Sequence, residues 1–280
     1  PPELSGTIQS WVCGATGCRD PYAGDRASQQ KSAQSLLPWL RDWLSVQPDR
    51  LRAALKVAAV GNCIDLGARE QVNLADLRQE VEVLLERPLH GPVEQWLRRV
   101  EQAAHLVYLA DNAGEIVLDS LLIDALGPER VTLVVRGAPV LNDATLREAE
   151  DLDLRSIRGL MDNGSPFAGT VLSSCKPDFL ILLGEADMIL AKGQGNFESL
   201  SGWEGPAWFL FLVKCGRVSE HCGVPTGDLV LLPGAGVGWD EEKERNCENC
   251  RCVGERGYGK DYGGMQSGPC GAPGYHPAGL

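Results

Sequence analysis

His105-Leu106-Val107-Tyr108-Leu109-Ala110-Asp111-Asn112-Ala113-Gly114-Glu115-Ile116-Val117-Leu118-Asp119-Ser120-Leu121-Leu122 is the stretch that decides how this chain reads. An apolar run of strand length releases an acid, an amide and a second acid, and a helical pattern follows at once. In open α/β sheets, ligands bind at the carboxyl ends of the strands. Hard oxygen donors at that edge suit a divalent cation, and therefore chemistry on a phosphate. Asn142-Asp143 follows the next strand at the equivalent edge.

Outward from that stretch, strand and helix alternate. Gly127-Pro128 ends the first helix, and Val131-Thr132-Leu133-Val134-Val135 is apolar without alternation, as expected of a parallel strand buried on both faces. The pattern predicts a helix over 145–149 with Asp143 as its N-cap, and a helix over 177–185. Further strands are expected over 188–191, 208–213 and 229–232. Short connections between such elements imply a mostly parallel sheet across 105–233. Residues 1–104 read as a helical region, with 1–22 irregular and no strand expected. Leu36, Leu37, Leu40 and Leu44 share one helical face from Ala23 onward, and further helices are expected over 49–60, 76–85 and 93–104. Residues 234–280 are Gly-rich, charged and without periodicity, and read as an irregular tail.

The chain has 280 residues, 44% hydrophobic and 23% charged, enough for a substantial core. A formal net charge of -12 argues against a nucleic-acid surface. It leaves an anionic substrate open, because a bound cation sets the local field. No apolar stretch has membrane-spanning length and no leader pattern opens the chain, so the expectation is no membrane association and a cytoplasmic location. Of ten Cys, Cys63, Cys175 and Cys215 sit in or beside apolar segments as small core residues. Cys247 and Cys250 have the spacing of half a zinc knuckle, and Cys252 with Cys270 would have to supply the second pair, though Cys250 and Cys252 are too close for the usual pattern. Four His argue against a histidine-rich metal site, and His105 reads as a hydrogen-bonded structural residue.

Asp111 and Asn112 can face one ion only where the backbone turns, and Gly114 eases that turn. Glu115 has three readings: a partner of the ligands, a water-orienting base, or a first-turn acid favoured by the helix dipole. Asp143 is a ligand, a helix cap or both. Arg136, at the edge of its strand, meets a phosphate or forms a salt bridge. Lys192-Gly193-Gln194-Gly195-Asn196-Phe197-Glu198 exposes backbone N–H groups and a positive charge after a strand, which suits an anion, though it is not a nucleotide P-loop. Gly61-Asn62 ends a helix, either as a plain terminus or as a junction that brings Asn62 to the phosphate. Lys214 leaves a later strand as another positive charge facing substrate.

Taken together, Gly61-Asn62-Cys63-Ile64-Asp65, Asp111-Asn112-Ala113-Gly114-Glu115, Asn142-Asp143-Ala144-Thr145 and Lys192 through Leu200 closely resemble the damage-control phosphatase family, also called acidic-residue-methyltransferase-like, in its compact microbial branch. The resemblance covers roughly residues 23–233. It implies a Rossmann-like three-layer α/β/α sandwich with an N-terminal helical region, and a metal-dependent phosphomonoesterase. It makes Asp111, Asn112 and Asp143 the metal ligands, and places Asn62, Glu115, Lys192, Gly193 and Asn196 on the phosphate or water side. The implied ion is Mg²⁺, Mn²⁺, Co²⁺ or Ni²⁺, and the implied partner a small-molecule phosphate ester: a sugar phosphate or a damaged phosphometabolite. Two features depart from the family: Cys13 and Cys18 differ in setting from the usual N-terminal cysteine pair, and the tail beyond Pro233 has no recognised equivalent.

The expected mechanism has Lys192 and the Gly-rich loop stabilising the transferring phosphoryl group, with Arg136 and Lys214 beside it. Water is the preferred nucleophile, with Asp143 or Glu115 taking its proton. An Asp111 phosphoaspartate conflicts with Asp111 as a metal ligand. The rival readings are a non-catalytic phosphometabolite-binding protein and an S-adenosylmethionine-dependent carboxyl methyltransferase. No loop suited to S-adenosylmethionine supports the latter. The oligomeric state is open.

Overall fold

The computed structural model describes residues 2–63, 74–152, 154 and 156–237. Its strands are β1 (Leu89–His90), β2 (Leu106–Leu109), β3 (Val131–Val135), β4 (Gly159–Asp162), β5 (Met188–Lys192), β6 (Ala207–Leu212) and β7 (Leu229–Pro233). They form one sheet in the order β1-β7-β6-β5-β2-β3-β4. Every pairing is parallel except that of β6 with β7. The described helices are α1 (Pro2–Thr16), α2 (Ala23–Ser45), α3 (Arg50–Gly61), α4 (Leu74–Glu86), α5 (Val93–Gln102), α6 (Glu115–Leu126), α7 (Leu146–Glu150), α8 (Pro177–Glu185), α9 (Gly193–Leu200) and α10 (Gly216–Cys222).

The continuous apolar runs of β2, β3, β5, β6 and β7 are buried at every residue, because both sheet faces are covered. Leu106, Tyr108, Leu133 and Leu190 belong to one core with the apolar residues of α2, α3, α5 and α6. Val107, Leu109, Val134 and Ile189 belong to the other, with those of α8, α9 and α10. The result is the expected three-layer α/β/α sandwich. Among the described residues, no helix is long and apolar enough to cross a membrane.

Strand order sets the place of the site. From β2 the chain passes through α6 to β3, while from the adjacent β5 it passes through α9 to β6 on the other side. Helices α6 and α9 pack on opposite faces, so the ends of β2 and β5 part and leave a crevice, the usual ligand position in such sheets.

The structure corrects several expectations. Residues 2–16 form α1 rather than an irregular segment. Tertiary contact overrides composition there: a Cβ at Gly6 would lie 2.5 Å from the Phe167 ring, and Gln9 is buried. Thr145, not Asp143, caps α7, through a capping box with Glu148. Strand β1 breaks the expectation of an all-helical region 1–104. The short elements β4 and α10 carry too few residues to show a period. Ile64, Asp65, Cys247, Cys250, Cys252, Cys270 and residues 238–280 of the expected tail lie outside the described residues.

Candidate active site

Two loops meet at the crevice. The segment after β2 and the segment before α7 are joined by backbone hydrogen bonds, from Ala144 N–H to Asp111 O (2.7 Å) and from Ala113 N–H to Asn142 O (2.9 Å). Asn112 and Asp143 pair across them as an isolated antiparallel bridge. Residues about thirty positions apart in sequence thus bring Asp111, Asn112 and Asp143 into one place. Arg136, buried at the end of β3, ties the acids together. Its Nε donates to Asp143 Oδ2 (2.5 Å), and Nη2 lies 3.5 Å from Asp111 Oδ1.

The helical region holds the second loop in position. Gln9 of α1 accepts from Leu141 N–H (2.6 Å) and donates to Pro139 O (3.0 Å). Buried Arg26 of α2 donates to Leu141 O (3.2 Å), and Gln29 accepts from Asn142 Nδ2 (3.2 Å). Leu141 has φ +47°, a strained value for a non-glycine residue, and side chains from α1 and α2 grip both its backbone polar groups.

Gly193 faces Asp111 from the start of α9. Its φ is +80°, and a Cβ there would lie 1.9 Å from Asp111 Oδ2. Only a residue without a side chain permits that approach. Asn196 is fully buried. It donates to Ala110 O (3.2 Å) and Lys192 O (2.8 Å), and accepts from Arg136 Nη1 (3.2 Å) and Thr170 Oγ1 (2.8 Å). Its work is to fix Arg136 and join β2 to β5. Thr170, which also accepts from Arg136 (3.3 Å), carries no signal in the sequence that marks it.

Below this layer lies a second set of charges. Lys192 Nζ donates to Glu115 Oε1 (2.5 Å), Asp119 Oδ1 (2.5 Å) and Ala58 O (2.9 Å), and all three charged side chains are fully buried. The ammonium expected at the phosphate is therefore engaged inside the protein. Glu115 Oε2 accepts from Asn62 Nδ2 (2.7 Å) and Asn112 Nδ2 (3.3 Å). Asn62 is fully buried. Its Nδ2 also reaches Asp111 Oδ2 (3.4 Å), and its Oδ1 accepts from Leu212 N–H (3.2 Å). Asp119 was detectable as an acid four residues after Glu115, on the same face of a mostly apolar helix. Lys214 is half-buried at the rim, and its charge is felt at Asp111.

The electrostatics are those of an acidic site short of positive charge. Burial, then repulsion from Asp143 and Glu115, pushes the Asp111 carboxyl well above the usual range, against Arg136 and Lys214. Burial likewise pushes Asp119 up to about 7, with Lys192 opposing. Burial works to lower Lys192, but Asp119 and Glu115 outweigh it and leave it raised. Asp111, Asp143, Glu115 and Asp119 face two buried cations, Arg136 and Lys192.

Among the described residues, no group of three or more His, Cys, Asp or Glu is arranged to hold a metal. The donor set at the crevice is instead two carboxylates and an amide, the hard oxygens that Mg²⁺ and its neighbours prefer. It fits a divalent cation on two counts. The surplus of carboxylates calls for positive charge, and Gly193 puts no side chain between the start of α9 and Asp111. Asn112 Nδ2 is committed to Asp111 Oδ2 (3.0 Å) and Glu115, which leaves the amide oxygen as the donor. Next to Asn62 opens a groove of about 510 Å³ lined by Cys63, Asp76, Gln79, Glu80, Arg87 and Leu212, among others.

Comparison with known proteins gives the family. Residues 7–230 match the model of the damage-control phosphatase ARMT1-like domain. A damage-control phosphatase of Archaeoglobus fulgidus is 33% identical over 233 residues, 81% of each chain. Damage-control phosphatase PH1575 of Pyrococcus horikoshii is 28% identical over 221 residues, 77% of this chain and 75% of its own. The crystal structure of that DUF89 family protein superposes with a TM-score of 0.74, covering 82% of this chain and 80% of the other. With most of its length matched, the chain belongs to the damage-control phosphatase family.

Proposed function

We propose that this protein is a metal-dependent phosphomonoesterase acting on sugar phosphates or damaged phosphometabolites. The observation that carries the reading is the meeting of Asp111, Asn112 and Asp143 around Arg136 at the parting of β2 and β5. Those three residues would hold Mg²⁺, Mn²⁺, Co²⁺ or Ni²⁺. A cation held there would polarise a phosphate oxygen and make a water more acidic.

The chain's own residues do the rest. Arg136 Nη2 is buried, pairs with Asp111 Oδ1 at 3.5 Å without a hydrogen bond, and takes a phosphate oxygen. The backbone N–H groups at the start of α9, opened by Gly193, receive a second. Lys214 adds charge from the rim. Asp143 accepts the proton of the attacking water. Glu115, enclosed by Lys192, Asn62 and Asn112, orients those groups rather than meeting solvent. The groove beside Asn62 takes the alcohol part of the ester.

Phosphate release from a panel of sugar phosphates and p-nitrophenyl phosphate, with EDTA or each metal in turn, tests the reading. Turnover that depends on metal and falls by more than about a hundredfold in Asp111→Asn is expected, since a ligand matters more than the groups that orient it. Binding of the panel without turnover would instead mark a phosphometabolite-binding protein.

A further inference from the structure

Glu115 and Asp119 are one turn apart on α6, so their carboxylates share a face. Lys192 reaches both from the end of β5, at 2.5 Å each, and gives its third proton to Ala58 O at 2.9 Å. Helix α3 comes close enough to offer that carbonyl because its inner residues are small, among them Ala54, Ala58 and Gly61. One carboxylate is enough to neutralise Lys192. A second, fully buried, leaves surplus negative charge away from water, which costs stability rather than adding it. The buried Tyr108 side chain is the other polar neighbour of this carboxylate, and a hydroxyl does not neutralise it. A neutral acceptor at this position would serve Lys192 and Tyr108 without the second charge.

We propose that Asp119 is a positioning residue for the cation site, an inference that rests on the metal-dependent reading above. Asp119 and Ala58 O take two of the three ammonium protons, so Lys192 engages Glu115 through Oε1 alone. Glu115 Oε2 then stays with Asn62 and Asn112. Held by Glu115 and Asp111, the Asn112 nitrogen turns its amide oxygen toward the cation. Without Asp119, the ammonium shifts onto Glu115, Oε2 is drawn from Asn112, and the amide loses its fixed orientation. Asp119 touches neither cation nor ester and acts through three intervening side chains.

The test is a Mn²⁺ titration of wild-type, Asp119→Asn and Asp119→Glu proteins, with free Mn²⁺ followed by electron paramagnetic resonance. Thermal melting and p-nitrophenyl phosphate turnover are measured on the same samples. Asp119→Asn keeps an acceptor for Lys192 and loses the charge. It is expected to melt cooperatively and to bind Mn²⁺ about 10- to 100-fold more weakly, as for other groups that orient a metal ligand. Its KM for the ester at saturating Mn²⁺ is expected to stay near the wild-type value, and Asp119→Glu to recover part of the affinity. Wild-type Mn²⁺ affinity in folded Asp119→Asn overturns the proposal. Failure of both variants to fold also overturns it, by assigning Asp119 to the core alone. Mn²⁺ binding that depends on Asp119 in a protein with no ester turnover supports the positioning role while the phosphatase reading falls. A wild-type protein that takes up no Mn²⁺ overturns both.

Discussion

Gly193 shows how much of the site hangs on a missing side chain. Its backbone sits against Asp111 with φ +80°, and a methyl group would lie 1.9 Å from Oδ2 and 2.2 Å from the carboxyl carbon. Gly193→Ala therefore adds two penalties: left-handed backbone strain of about 1–2 kcal/mol and displacement of Asp111. We expect metal-dependent phosphate release to fall by about a hundredfold or more, as when a donor at the reacting centre is lost. The melting temperature should drop by only about 2–8 °C, the equivalent of that strain in a chain of this size. Phosphate assays and thermal scans of the same preparation check both. A variant with wild-type turnover would show that Asp111 can yield without cost.

At the scale of elements, the segment between β3 and α7 is shaped from outside. Gln9, Arg26 and Gln29 hold its middle, and Thr145 with Glu148 fixes where the helix begins. Glu148 also accepts from Arg26 Nε at 3.0 Å. Burial works to raise its pKa, but the hydrogen bonds from Thr145 and Arg26 outweigh it and leave it below the ordinary 4.5. A lowered folded-state pKa stabilises above the unfolded value, and that contribution fades as pH falls through the folded one. We therefore expect Glu148→Gln to melt a few degrees below wild type at pH 7, the order of a lost capping box of about 1 kcal/mol. The two proteins should converge as pH drops below the unfolded value of about 4.5. Melting curves from pH 3 to 7 test this, and parallel curves at all pH values would remove Glu148 from the acid response.

For the whole molecule, the charge balance at the crevice matters more than the total of -12. The buried acids there raise one another's energy in the absence of a cation, so binding one stabilises the folded state alone. At a hundred times its dissociation constant, a single cation adds about 2.7 kcal/mol. That is a rise of roughly 5–10 °C in melting temperature. We expect this rise with Mn²⁺, its reversal by EDTA and its absence in Asp143→Asn. An equal rise in that variant would place the cation elsewhere.

The sequence by itself determined the elements whose burial is complete and whose ends are punctuated. The run 131–135 reads as β3 residue for residue, and Pro177 opens α8 where a proline is tolerated. It also showed which acids and amides stand at strand ends, because the change from strand to helical pattern is local. Only the tertiary structure decided what those side chains face. Whether Lys192 meets the crevice or the interior depends on Ala58 and Asp119, 134 and 73 residues away along the chain. Whether residues 2–16 are helical depends on the Phe167 ring and the Leu141 loop beneath them. Such contacts are set by packing between distant segments, and no period or composition in one segment records them.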